Sequence, residues 1–424
     1  MRQSKLFTKT KKEVPTDEIA KNAELLIRGG FIHKEMAGVY SYLPLGLRVL
    51  KKIENIIREE MNAIGSQELI MSSLQSKELW ETTNRWSDEV VDNWFKTKLK
   101  NDTELGLGFT HEEPLTRIMK DFIQSYRDLP TSAYQFQTKF RNETRAKSGI
   151  MRTREFVMKD AYSFAKDEQE HLEFYDKAKQ AYINIFKRVG IGHLTYFTFA
   201  SGGVFSKYSH EFQTITSAGE DTIYVDENKG IAINKEVYTD EVIENLGLSK
   251  ESLVENKAVE VGNIFTLGTR FSDALDLTYQ TESGEKRAVF MGSYGIGPAR
   301  LMGTVVETLS DDKGIIWPEA VAPFTVHLLV LGEDESVQKE ANKIYEDLVK
   351  NNVEVLFDDR AGVSPGEKFA DSDLLGIPMR AVVSVRSMKE QGVEIKKRTE
   401  EKGQVISVDE LLELLTSESF RLSP

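Results

Sequence analysis

The sequence predicts two units of different fold class: a larger region that mixes helices with antiparallel strands, then a small α/β domain. Three observations carry this. A chain of 424 residues has room for two to four domains at roughly 100–200 residues each. Residues 134–164 read as an antiparallel strand–loop–strand unit. After the proline-bracketed stretch 317–323 the pattern changes to a β-α-β-α-β alternation, which signals a largely parallel sheet.

The elements follow in order. A helix is expected over 47–64, where Val49, Leu50, Ile53, Ile56, Ile57, Met61 and Ile64 recur at the spacing of one helix face. Pro44 and Gly46 precede it and Gly65 stops it. A short strand at 67–71, a helix near 76–84 and a helix over 113–123 follow, with Pro114 tolerated in a first turn. Tyr134, Phe136 and Phe140 share one parity of the strand at 134–143. Its partner is 154–164, across a polar loop at 144–153. Residues 167–189 read as a long amphipathic helix with Leu172, Tyr175, Tyr182, Phe186 and Val189 near one face. Strands are expected at 193–200, 210–217, 222–226, 258–266 and 286–293, and a helix from 297 to about 309. The stretch 227–256 is polar and carries only a modest helical signal around 240–245. Beyond the linker, strands at 325–331, 353–357, 381–385 and 393–397 alternate with helices at 335–350, 366–375 and 407–415.

Composition excludes several chemistries. The cysteine count is zero, which removes disulfides, thiol nucleophiles, Cys-ligated zinc and iron–sulfur clusters. The histidines His33, His111, His171, His193, His210 and His327 show no HxH or HxxxH spacing, so a His-built metal site has little support. Net charge is −13, so any nucleic acid must be met by a local basic patch. The first twenty residues lack the apolar core of a signal peptide, and no apolar run approaches the ~20 residues of a membrane span. These features read as a cytosolic multi-domain enzyme.

Four segments carry chemistry. Around the 144–153 loop, Lys139, Arg141, Arg145, Lys147, Arg152, Arg154 and Lys159 face only Glu143, Glu155 and Asp160. In an acidic chain this local reversal of charge fits phosphate binding, since arginine keeps its proton and grips phosphate through paired hydrogen bonds. A solvated basic hairpin is the alternative. The run from Met291 to Arg300 (MGSYGIGPAR) places glycines between a strand and a helix, either for close backbone approach to a ligand or as a plain tight turn. Thr110, His111, Glu112 and Glu113 open a helix, where acids also suit the helix dipole. His210 and Glu211 follow the Gly202-Gly203 turn and read as ligands or as a core pair.

Together, and in this order, these segments resemble the class II aminoacyl-tRNA synthetases, and more narrowly the bacterial-type prolyl-tRNA synthetases. Phe140-Arg141-Asn142-Glu143 with Arg152-Thr153-Arg154-Glu155-Phe156 is similar to class II motif 2. Gly295-Ile296-Gly297-Pro298-Ala299-Arg300 resembles motif 3, and Thr110-His111-Glu112 the T-x-E loop that reads proline. The segments 134–141, 154–164 and 209–212 share the prolyl type's wording, and 314–318, 368–371 and 376–378 extend the likeness into the C-terminal domain. The chain departs from the pattern at Ser72 and Ser76, which stand in place of motif 1 prolines, at Phe109, and at Pro298-Ala299.

The resemblance implies an α+β catalytic domain of the class II synthetase fold, an antiparallel sheet flanked by helices, over 1–226 and 257–317. It implies a short remnant or linker at 227–256 in place of an editing insertion, a linker at 318–323, and an α/β anticodon-binding domain over 324–424. It implies ATP-dependent activation of L-proline and transfer to tRNA(Pro), with Mg²⁺ and no zinc, and no hydrolysis of mischarged alanyl-tRNA. It also implies a cytoplasmic homodimer formed through motif 1 (about 47–76), with no membrane or DNA partner.

The roles carry over residue by residue. Arg141 would hold the α-phosphate and the substrate carboxylate, and Arg152 and Arg300 the γ-phosphate. Glu143 would meet the adenine amino group, Phe156 would stack on the ring, and Gln213 would complete the ATP site. Thr110 and Glu112 would accept the two N–H bonds of prolinium. Met158, Asp160 and His210 would complete the proline site, His210 with the Gly202-Gly203 turn walling the ring. Glu211 is the candidate Mg²⁺ ligand. Arg145 and Lys147 would touch the acceptor stem, and Arg360, Lys368 and Arg386 are candidate RNA contacts in the C-terminal domain.

Overall fold

A computed structural model of the chain describes residues 1–13, 18–144, 146, 148–202 and 208–417. The chain divides into two compact units, one of residues 36–39 and 54–304, the other of residues 1–35, 40–53 and 305–424. The first long helix, α1 (Pro44–Ala63), starts earlier than the periodicity indicates, because Pro44 fits a first turn whose N–H has no helical partner. Val49, Leu50, Ile53, Ile56, Ile57 and Met61 are buried as their spacing predicts.

The unit around residues 54–304 is built on a nine-stranded sheet. Its strands are β1 (Gln67–Glu68), β2 (Thr131–Phe140), β3 (Glu155–Ala165), β4 (Thr195–Ser201), β5 (Tyr208–Ile215), β6 (Asp221–Asp226), β7 (Ile231–Asn234), β8 (Val254–Gly268) and β9 (Phe290–Ile296). They lie in the order β5-β4-β7-β6-β8-β9-β3-β2-β1. Only the β1–β2 and β7–β4 pairings are parallel. Strand β5 pairs with β8 as well as with β4, so β4 to β8 close into a ring. The polar stretch 227–256 supplies β7 to that ring and a capped helix at Asp240–Asn245. It is folded into the sheet rather than strung across it as a linker.

Helices α2 (Lys77–Thr82), α3 (Glu112–Met119) and α4 (Glu168–Arg188) belong to this unit, and α5 (Pro298–Thr308) begins directly behind β9. Asp167 caps α4 by accepting from the Glu170 N–H, and Tyr175, Tyr182, Ile185 and Phe186 turn inward. Leu172, expected on that face, is exposed, and the buried His171 holds the inward position. The period of two along β3 then decides which side chains share a face. Lys159 points to the α4 side, where it donates to Tyr182 Oη, while Phe156, Met158, Asp160 and Tyr162 alternate with it.

The C-terminal strands are β10 (Val326–Val330), β11 (Val355–Asp358), β12 (Met379–Val383), β13 (Val393–Lys397) and β14 (Gln404–Ile406), in the order β11-β10-β12-β13-β14. Strand β10 is parallel to β11 and β12, but β12–β13 and β13–β14 are antiparallel, so the sheet is mixed rather than largely parallel. The reason is the connection. Only the short helix Val385–Lys389 separates β12 from β13, too little for a crossover, and the chain turns back on itself. Helices α6 (Glu335–Lys350) and α8 (Val408–Thr416) contribute Val337, Ala341, Ile344, Leu348, Leu411 and Leu415 to its core. Helix α7 (Pro365–Leu375) is capped by Ser364 and stopped by Gly376 at φ +69°, a left-handed end that glycine adopts without strain.

The N-terminal residues add an unpredicted partner to edge strand β11. The Phe357 N–H donates to the Met1 carbonyl at 2.8 Å, and Arg2 reaches Asp359 at 3.2 Å and Asn342 at 2.7 Å. Among the described residues no helix is long and apolar enough to cross a membrane.

Candidate active site

Arg141 stands where two cavities meet. Its backbone N–H donates to the Arg154 carbonyl at 2.8 Å, which holds the residue just beyond the end of the β2–β3 ladder. Its guanidinium carbon lies 5.0 Å from the Phe109 ring centroid and 5.4 Å from that of Phe156. Two aromatic faces thus fix a cation in place. Nε is buried with no hydrogen-bond partner, and among the described residues no carboxylate pairs with this guanidinium. Burial first, then the neighbouring Arg300 charge, hold its pKa below the usual arginine value, with Glu260, Glu143 and Glu112 opposing. An arginine keeps its proton even so. The site therefore presents an uncompensated positive charge, which favours an anion.

One cavity is lined by Thr110, Glu112, Asp160 and Tyr162, with Arg85 and Phe109 beside them. Thr110 Oγ1 donates to both Glu112 carboxylate oxygens, at 2.8 and 2.7 Å. Tyr162 Oη donates to Asp160 Oδ2 at 3.0 Å and lies 3.4 Å from Glu112 Oε1. Below them, Lys139 Nζ donates to Asp160 Oδ1 at 2.7 Å and to His111 Nδ1 at 2.9 Å. A lysine donor on Nδ1 assigns the imidazole proton to Nε2, which lies 3.1 Å from the Ser72 carbonyl. Burial first, then Lys139, push the His111 pKa down to about 4, so the ring is neutral at pH 7. Glu112 and Glu113 do occupy the first turn of α3, but they are buried rather than solvated.

The second cavity is lined by Glu143, Arg152, Phe156, Glu260 and Arg300, again with Arg141. Gly295 and Gly297 form part of its wall, and a Cβ on Gly295 would come within 2.8 Å of Asn263 Oδ1. Arg300 Nε donates to the Met151 carbonyl at 2.9 Å and Nη1 to the Glu260 carbonyl at 3.0 Å. Arg152 is engaged by carboxylates: it donates to Glu143 at 3.0 and 2.9 Å and to Glu220 at 2.6 Å. Both cavities include Met158.

Other expected residues stand elsewhere. His210 does not line the cavity of Thr110 and Glu112. Its ring stacks on Phe197 with centroids 4.4 Å apart, and its Nδ1 meets Tyr175 Oη at 2.6 Å. Gln213 and Glu211 lie on β5 and line neither cavity. Gln213 Nε2 donates to Glu211 at 3.0 Å and to Asp221 at 2.8 Å, while its Oε1 is buried without a partner. Burial first, then Glu260, push the Glu211 pKa up to about 8. Among the described residues no group of three His, Cys, Asp or Glu side chains is placed to hold a metal ion. Arg145, Lys147 and Gly203 lie outside the described residues.

Comparison with known proteins settles the family. Residues 95–309 match the family described as tRNA synthetase class II core domain (G, H, P, S and T), and residues 321–418 match the anticodon binding domain family. A proline–tRNA ligase of Wolbachia sp. subsp. Drosophila simulans is 38% identical over 423 residues, covering 97% of this chain and 99% of the relative. That of Zymomonas mobilis subsp. mobilis is 37% identical over 441 residues, covering 98% and 99%. The chain belongs to the prolyl-tRNA synthetases. Solved structures share its fold. Prolyl-tRNA synthetase from Cryptosporidium parvum, complexed with halofuginone and AMPPNP, superimposes with a TM-score of 0.77 at 19% identity, over 95% of this chain and 76% of that one. The Giardia lamblia prolyl-tRNA synthetase in complex with prolyl-adenylate gives 0.75 at 18% identity, over 92% and 74%.

The synthetase also places residues at the site that its sequence did not single out. Arg85 is 4% exposed and pairs with Glu112 and Glu113. Glu260 and Asn263 of β8 line the Arg300 side, and Glu220 holds Arg152. A polar pair in the otherwise apolar strand 258–266 was the available signal for β8. Arg85 offered none, because a lone arginine in a polar stretch reads as solvated. In the anticodon domain, Lys368 is 3% exposed and donates to the Val330 and Asp358 carbonyls, and Arg360 pairs with Asp358 and Asp371. Neither side chain is available for RNA as expected. Arg386 is exposed.

Proposed function

We propose that the two cavities hold the two substrates of amino-acid activation, ATP on the Arg300 side and L-proline on the Glu112 side, with Arg141 between the reacting groups. The position of Arg141 as a wall of both cavities is the observation that carries this reading. The proline carboxylate attacks the α-phosphate in line, a P–O bond forms, and pyrophosphate leaves with the electrons of the broken P–O bond. A carboxylate is already ionised at pH 7, so no general base is required. Catalysis is then positioning and charge stabilisation, and Arg141 supplies both by meeting the carboxylate and the α-phosphate together.

Prolinium offers two N–H donors, and the Glu112 carboxylate with Thr110 Oγ1 supplies acceptors for them. Asp160 and Met158 floor the ring pocket. Phe156 offers a face to adenine and Glu143 an acceptor for its amino group. Arg300 and Arg152 meet the terminal phosphates, and Arg152 must first release Glu220. Mg²⁺ bound with the nucleotide would supply charge neutralisation for the phosphates, and Glu260, which lines the cavity, would hold it with Glu211. This fits a half-buried acidic group of Glu211, Asp221 and Glu260 in which desolvation raises Glu211 and Asp221. The second step transfers proline to the 3′ end of tRNA(Pro). Arg145 and Lys147 are proposed to touch its acceptor stem, so their loss weakens transfer more than activation.

Two further readings are proposed with it. The exposed Ile70 and Leu74 of the motif 1 region, 74% and 55% accessible, belong to a homodimer interface, and light scattering of the purified chain tests this. The stretch 227–256 is too short for an editing domain, so purified chain should leave alanyl-tRNA intact, and measurable deacylation would overturn that. The primary reading is tested by ATP–pyrophosphate exchange against a panel of amino acids including alanine and cysteine. Proline should support the fastest exchange, and equal exchange with another amino acid would contradict it.

A further inference from the structure

The Glu112–Glu113 pair poses an electrostatic problem. Two adjacent carboxylates occupy the first turn of α3, 5% and 0% exposed. Two buried like charges this close cannot both stay ionised without a cation. The cation is Arg85. Its Nη1 lies 2.8 Å from Glu113 Oε1 and 3.4 Å from Glu112 Oε2, so one nitrogen spans the pair. Thr83 Oγ1 donates to the same Glu113 oxygen at 2.8 Å. The Arg85 backbone N–H donates to the Trp80 carbonyl at 3.0 Å, and the guanidinium carbon lies 4.8 Å from the Trp80 ring and 5.4 Å from the Phe271 ring. The head group is therefore clamped between two aromatic faces.

We propose that Arg85 is a positioning residue for proline recognition: by bridging Glu113 and Glu112 it balances the charge of the pair and holds Glu112 turned toward the substrate amine. The inference rests on the reading of Thr110 and Glu112 as the amine-binding pair. Arg85 itself also lines the cavity, so its charge sits beside Glu112 at the site. The other titratable groups around the pair are Tyr162 and Asp160 of β3, Lys139 of β2, His111, and Asp92, Arg141 and Arg270, which line the same cavity. Lys139 is already committed to Asp160 and His111. Tyr162 is neutral, and Arg141 faces the anion. Arg85 is left as the cation in hydrogen-bond contact with both Glu112 and Glu113. Burial already pushes Glu113 up to about 7 against the pull of Arg85, so without that pull a proton would settle on the pair at neutral pH. A proton on the pair removes negative charge that would hold prolinium.

The test is proline-dependent pyrophosphate exchange by Arg85→Gln and by Arg85→Gln/Glu113→Gln. In Arg85→Gln the KM for proline should rise about tenfold or more at neutral pH, while the KM for ATP changes less than about twofold. Relative to the parent chain, that KM should fall as pH rises from about 6.5 to about 8.5, because deprotonation restores the negative charge of the pair. The double variant has one carboxylate and no pair, so its KM relative to the parent should be independent of pH. If the single variant does not fold, the double variant carries the test, since it removes the uncompensated charge. An unchanged proline KM in the single variant would overturn the proposal. So would an equal rise for ATP, a pH-dependent double variant, or a double variant that fails to fold. A parent chain without proline-dependent exchange would instead refute the reading on which the proposal rests.

Discussion

Lys139 Nζ lies 2.7 Å from Asp160 Oδ1, both residues are buried, and Asp160 lines the cavity of Thr110 and Glu112. A closed ion pair of this kind is poor evidence for net stability, but removing one partner leaves a buried charge alone. Lys139→Met should therefore destabilise the protein by about 3–5 kcal/mol, read from the urea midpoint. Replacing both partners by apolar residues of similar volume should restore much of that loss. A neutral single substitution would contradict the pairing.

Arg152 gives a prediction of opposite sign. Its ion pair with Glu220 is partly exposed and competes with any phosphate for the same guanidinium. Glu220→Gln removes the competitor. Partly exposed pairs contribute about 0.2–1 kcal/mol, so the KM for ATP should fall by a factor of about 1.4 to about 5 in pyrophosphate exchange. An increase would mean that Glu220 assists the nucleotide rather than competing with it.

Glu112→Ala should raise the KM for proline far more than that for ATP, because its carboxylate is placed in the proline-side cavity and not in the other. Initial-rate exchange kinetics with each substrate varied separately measure this. Proportional losses for the two would argue against amine recognition by Glu112.

Stability should fall on mild acidification. Burial holds His111, His171 and His210 down to about 4 and His327 to about 3, below the ordinary imidazole value of 6.5. Below pH 6.5 the unfolded chain takes up these protons and the folded chain does not, so stability is lost as pH falls toward 4. Glu113 and Glu211 are raised, to about 7 and about 8, and act in the opposite direction over the same window. Four imidazoles outweigh two carboxyls. The urea midpoint should therefore decline from pH 6.5 to 4.5, and His171→Asn should lessen the slope. A midpoint that rises on acidification would contradict this.

The sequence was legible where periodicity was strong. Helices α1, α4 and α6 and the strands β2, β3, β10 and β11 follow from apolar spacing alone, and Arg141, Thr110 and Glu112 line one cavity. Its failures have physical causes. Strand β7 has four residues, and its partners β4 and β6 lie outside its own segment, so no local pattern marks it. The edge pairing of Met1 and Arg2 with β11 joins residues more than 350 positions apart. The charged groups Lys139, Lys159, Arg85 and Lys368 are buried, and a charged residue taken alone reads as solvated. His210 read from its neighbours either as a ligand or as part of a core pair, and the aromatic rings of Phe197 and Tyr175 claim it across the fold.

The central claim is that Arg141 joins the two substrates at the point of reaction. The measurement that tests it most directly is proline-dependent ATP–pyrophosphate exchange by Arg141→Ala, with circular dichroism and the urea midpoint as checks on folding. The account predicts that exchange is abolished while the folded signal is retained, since the guanidinium makes no ion pair among the described residues and its Nε has no partner to lose. Near-normal exchange by the folded variant would contradict it.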